Sequence, residues 1–152
     1  MPDAVYNLEW VAEQKGDTIL QKQHADDFVK KTSDTVYGGM YHKYLVELYT
    51  GILQSPEKAL AIAEKEINNR STPQTNAWLV WTLHKVGNDT KALEIYKAHV
   101  SGKPLEALEL YWMGKMMKDM KKNYNAGEFF KAANKNLYDL SPSKQRDLKS
   151  LL

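Results

Sequence analysis

The stretch from Pro73 to Pro104, PQTNAWLVWTLHKVGNDTKALEIYKAHVSGKP, decides the fold. Leu79, Val80, Leu83 and Val86 recur at helical spacing, so one face of a first helix is apolar and must be buried. Gly87 ends that helix. A second starts near Thr90, carries Ala92, Leu93, Tyr96 and Val100 on one stripe, and stops at Gly102 and Pro104. Two short amphipathic helices joined by a tight turn make a hairpin of antiparallel helices. A hairpin of this kind cannot bury both apolar faces alone, so the pattern has to recur.

It recurs at a step of 34 residues. That step carries Leu79 to Met113, Val80 to Gly114, Leu83 to Met117, Ala92 to Ala126 and Tyr96 to Phe130. Backwards, it carries the same first helix to Leu45, Val46 and Tyr49. Ser55-Pro56, Thr72-Pro73 and Ser141-Pro142 each place a capping residue before a proline suited to a first helical turn. Ala59 stands 33 residues before Ala92, which predicts one extra residue in the turn inside that unit.

With these residues in view, the chain resembles the tetratricopeptide repeat (TPR) family, and in particular the terminal repeats of longer bacterial TPR proteins. Met113, Gly114 and Met117 fit the bulky, small and bulky positions of the family's first helix, and Ala126, Phe130 and Ala133 fit the second. Leu79, Leu83, Gly87, Ala92, Tyr96 and Pro104 fit in the unit before. Val80 and His99 depart from the pattern, where a small residue and alanine are usual. The resemblance implies an all-α, right-handed TPR-like superhelix over residues 1–152. Its units are a degenerate one at 3–31, then 39–72, 73–106 and 107–140, with a capping helix over 141–152.

The rest of the chain is read around this frame. Residues 3–15 form a helix with Val5, Leu8, Val11 and Ala12 inward, turned at Gly16-Asp17 into a helix carrying Leu20, Ala25, Phe28 and Val29. Residues 31–39 are the longest linker and the place for mobility. The last helix, 143–152, sets Leu148, Leu151 and Leu152 on one side. Trp78 and Trp112 wedge between hairpins, and Met113, Met116, Met117 and Met120 pack the core.

Composition limits the function classes. A chain of 152 residues with 43% hydrophobic residues can bury a core. Cysteine is absent, so disulfides and thiolate metal sites are excluded. The formal charge of +2 gives no drive toward nucleic acid. The charge is unevenly placed, with four lysines and seven acids in residues 1–38 but ten basic residues and six acids in residues 103–152. No apolar run reaches the roughly 20 residues needed to span a bilayer, and Met1-Pro2-Asp3-Ala4 does not open a signal peptide. Cytoplasm and periplasm both stay open. His24, His42, His84 and His99 form no ligand pair at metal-binding spacing, and no catalytic motif or cofactor-binding loop is present. The expectation is a non-enzyme with no metal and no cofactor.

In TPR arrays the first helices line a concave groove. The resemblance therefore makes Lys43, Glu47, Trp81, His84, Lys85, Tyr111, Lys115 and Lys118 the candidate peptide-binding residues. Tyr111, Lys115 and Lys118 share one side of their helix by spacing alone. Aromatic and basic side chains suit an acidic segment or a free carboxylate. The carboxylate clamp of chaperone-tail binders is not matched: Lys43 agrees, but Glu47, Trp78, Leu108 and Trp112 stand at its other positions. The function expected is a protein-protein interaction scaffold whose partner is an unidentified protein or peptide. The alternatives are a terminal spacer, or a regulatory module of a larger protein whose working domain lies upstream of Met1.

Overall fold

A computed structural model describes residues 2–33, 35–121 and 126–152. These residues contain nine α-helices and no strand. They are α1 (Pro2–Lys15), α2 (Thr18–Thr32), α3 (His42–Thr50), α4 (Pro56–Asn69), α5 (Pro73–Lys85), α6 (Asp89–Ile95), α7 (Ala107–Asp119), α8 (Ala126–Asn134) and α9 (Pro142–Leu151). α6 runs on into a π-helical turn, Tyr96–Val100, and short 3-10 turns lie at Thr35–Tyr37 and Leu137–Asp139. Of the expected linker, Asp34 lies outside the described residues, as does Met1. No helix among the described residues is long and apolar enough to cross a membrane.

Local chemistry sets the helix ends. Gly16 takes a left-handed φ of 73°, and Asp17 accepts the Leu20 N–H at 3.0 Å, which turns the chain from α1 into α2. Thr72 and Thr75 form a reciprocal capping box ahead of Pro73. The turn before α4 spans residues 51–55, longer than the 86–88 turn before α6, and it contains Gln54 at a φ of 47°. Ser141 precedes Pro142 as expected, but its own hydroxyl does not cap α9. That task falls to Glu13, far away in α1.

Helices consecutive in the chain pack in pairs: α1 on α2, α3 on α4, α5 on α6 and α7 on α8. α5 also packs on α3, α4 and α7, and α9 on α8 and α1. Several residues 34 positions apart are alike in burial. Ala12 of α1, Val46 of α3, Val80 of α5 and Leu148 of α9, spaced by multiples of 34 residues, are almost wholly buried. Gly114, the fifth of the set, is buried as well, and its missing Cβ makes room for the Phe130 ring. Met113, Met116 and Met117 fill the main core beside Trp78 and Trp112.

A second, smaller core joins α1, α2 and α3 through Val5, Tyr6, Ala25, Phe28, Tyr41 and Leu48. Here the expected inward face of α1 is corrected. Val5 and Ala12 are inside, but Leu8 and Val11 are both 49% exposed, and Tyr6, Glu9 and Glu13 are buried in their stead. Leu20, expected in the core, is largely exposed too, and so is Leu152. The rotation of α1 follows from its neighbours: Tyr6 packs on Phe28 and Tyr44, while Glu9 and Glu13 reach polar partners in α2 and α9.

Candidate functional site

The candidate residues lie along α3, α5 and α7, and most of them meet other side chains of the same chain. In α3, the Lys43 ammonium stands 2.7 Å from Glu106 and 3.1 Å from Glu109. Burial works against that charge, but the two carboxylates outweigh it and hold the Lys43 pKa above its usual value. Glu47 is buried, accepts the Tyr6 hydroxyl of α1 and pairs with Lys144 of α9 at 3.1 Å. Burial, followed by the Glu47 charge, pushes the Tyr6 phenol far above its ordinary range, so it stays a donor.

In α5, Trp81 is buried and stacks on Trp112 at 5.7 Å between ring centroids and 7° between planes. Its indole N–H donates to Thr50 Oγ1 at 3.1 Å, and Lys85 lies 5.3 Å from its ring centre. His84 stands between Asp89, at 2.7 Å, and Asp119, at 3.1 Å. In α7, Tyr111 donates to Asp147 of α9 at 2.5 Å, and Lys115 meets the same carboxylate oxygen at 3.0 Å. Lys118 is exposed near the end of α7. Tyr111 and Lys115 are thus brought together as their spacing predicts, but around a carboxylate of this chain. Trp81, His84 and Lys85 form a separate cluster.

A polar seam joins α1, α3 and α9. Glu13 accepts from the Ser141 hydroxyl at 3.1 Å and from the Ser143 backbone N–H at 2.5 Å, placing a carboxylate on the N-terminus of α9. Glu9 accepts from Gln21 at 2.6 Å, and burial raises its pKa to about 7. Lys144 is the seam's ammonium, facing three buried carboxylates, Glu9, Glu13 and Glu47. Arg146 adds a contact to Gln14 at 3.3 Å.

Two open cavities flank Lys43, and the first of them reaches the seam at Glu47. The first, about 430 Å³, is walled by α1, α3, the start of α7 and the turn at Leu137–Asp139. Tyr6, Trp10 and Tyr44 give it an aromatic side; the Tyr6 ring lies 4.6 Å from Tyr44 and 5.8 Å from Trp10, centroid to centroid. Asp3, Glu47, Glu106 and Asp139 give it an acidic one. The second, about 360 Å³, reaches from Met40 and Arg70 to Trp78 and Glu109. Both share Lys43, Tyr44 and Glu106, so the Lys43–Glu106 pair stands between them.

Of the eight candidates, only Lys43 and Glu47 line these cavities. Tyr6, Trp10, Tyr44, Asp3 and Asp139 were not expected there. A signal for α1 was present: the step that carries Val80 to Val46 continues to Ala12, and the step from Glu47 lands on Glu13. Among the described residues no group of three His, Asp or Glu side chains is placed to hold a metal ion. In comparisons with protein-family models, curated proteins and solved structures, the chain matches none.

Proposed function

We propose that this chain is a non-catalytic binding scaffold, a TPR-like array whose first helices present a groove to a segment of a partner protein. The observation that carries the reading is the pair of adjoining cavities on the face formed by α1, α3, α5 and α7. Together they are of the size that takes several side chains of an extended segment. The buried register of Ala12, Val46, Val80, Gly114 and Leu148 supports the repeat reading beneath it. The groove runs from the rim at Asn7 to Met40, with the Lys43–Glu106 pair across its middle. Tyr111 and Lys115 lie outside it and serve to hold α9, as does Asp147.

A second reading is favoured by that same engagement: six of the eight candidate side chains stand outside the cavities, and most have partners within the chain. On that reading the array is a terminal spacer or regulatory module of a larger protein. Panning a random peptide library on the immobilised chain separates the two. Asn7 and Met40 are exposed residues of the two cavities, and Asn7→Arg with Met40→Arg would fill both mouths without touching the core. The scaffold reading expects enriched peptides that bind the parent and lose about tenfold or more in affinity to the double variant. Equal binding to both, or no enrichment, would favour the spacer.

A further inference from the structure

The charge and shape of the 430 Å³ cavity say more about its occupant than its size does. Among the described residues four carboxylates line it: Glu47 is paired with Lys144 at 3.1 Å and Glu106 with Lys43 at 2.7 Å, whereas Asp3 and Asp139 are paired with no cation. The Lys43 ammonium is already neutralised from the other side by Glu109 at 3.1 Å. An acidic ligand would meet the like charge of Asp3 and Asp139 there. A cation would meet both carboxylates and aromatic faces, since Tyr6, Trp10 and Tyr44 form a contiguous wall with centroids 4.6 Å and 5.8 Å apart.

We propose that this cavity receives an organic cation, the guanidinium or ammonium of a basic side chain carried by a bound peptide. The inference rests on the scaffold reading for its peptide, and it reverses the acidic partner expected from the lysines of α7. Glu106 is the adjustable part of the site. Its side chain is 66% exposed, whereas that of Glu109 is fully buried. An incoming guanidinium can draw Glu106 away while Lys43 keeps its second partner. The same movement removes the bar between the two cavities, so the cation opens the path for the residues that follow it. Planar guanidinium suits this wall best, because it stacks on aromatic rings and pairs with carboxylates at once.

The indole N–H of Trp10 is a resident reporter. It is buried in the wall of this cavity and, among the described residues, has no hydrogen-bond partner. The experiment is a titration of the full chain with N-acetyl-arginine amide, spermidine and, as the anionic control, glutarate. The readout is the indole N–H resonances in a heteronuclear NMR spectrum. The expected result is a saturable shift of the Trp10 signal with N-acetyl-arginine amide, little change at Trp81 and Trp112, and no shift with glutarate. Asp3→Asn with Asp139→Asn, both at exposed positions, should weaken the affinity about tenfold. Added salt should weaken it further. A Trp10 signal indifferent to both cations at millimolar concentration overturns the proposal, as does equal response to glutarate. A shift with spermidine alone overturns the peptide source in favour of a free polyamine. Peptide panning can succeed with uncharged peptides, so failure of the cation site is distinguishable from failure of the scaffold reading.

Discussion

Replacing Gly114 by alanine sets two effects of opposite sign against each other at one atom. Within a helix, alanine is better than glycine by roughly 0.5–1 kcal/mol because less backbone entropy is lost. At Gly114, however, the new Cβ would lie 2.6 Å from Phe130 Cε1, 2.9 Å from Phe130 Cδ1 and 3.1 Å from Phe129 Cβ. Phe130 is only 3% exposed, so its ring has no space to swing into. Overpacking of this kind costs about 1–3 kcal/mol, and the steric effect therefore wins. The expected net loss is about 1–2 kcal/mol, read by urea denaturation, with a fall in Tm of roughly 2–8 °C. Gly127 is the internal control, because among the described residues nothing lies within 4 Å of a Cβ built there. Gly127→Ala should stabilise by a few tenths to about 1 kcal/mol. If Gly114→Ala proves neutral or stabilising, α7 and α8 do not approach as closely as the structure shows.

Two further outcomes are expected. Glu9 carries a pKa raised to about 7 by burial, against 4.5 for the free group. The folded chain therefore holds this proton more tightly, giving stability that is complete below pH 4.5 and is lost as pH rises through 7. Glu9→Gln should raise the Tm at pH 8 and leave it nearly unchanged at pH 4; a difference independent of pH would refute this. Lys43→Met strands the buried Glu109 with only the Trp78 indole N–H, at 2.8 Å, and should cost about 3 kcal/mol in chemical denaturation. A loss well under 1 kcal/mol would mean that the Lys43–Glu109 pair does not hold the fold.

What was legible in the sequence, and what was not, divides along the range of the interactions. The helix pairs could be read because each helix depends on residues three or four apart; Val46 and Val80 are buried as their apolar spacing requires. The face of α1 could not be read from its aliphatic residues, since Leu8 and Val11 share helical spacing with Val5 and Ala12 and yet point outward. What turns the helix is a set of distant partners: Gln21 for Glu9, Lys144 and Tyr6 for Glu47, the start of α9 for Glu13. The same holds for α7. Spacing placed Tyr111 and Lys115 on one side, but only the tertiary arrangement brings Asp147 across from them.

The bond from Ser143 to Glu13 joins residues 130 positions apart. In an array where each unit touches only its neighbours, unfolding can start at either end and proceed unit by unit, like a zipper. Here the first and last helices hold each other, so neither end can fray without breaking a shared contact. Loss of the outermost units is coupled to loss of both, and melting becomes a single all-or-none transition. Glu13→Ala removes the bonds to Ser141 and Ser143 while Arg146–Gln14 remains, and should loosen this coupling toward stepwise melting. Calorimetric and van't Hoff enthalpies that agree in the parent would then part in the variant.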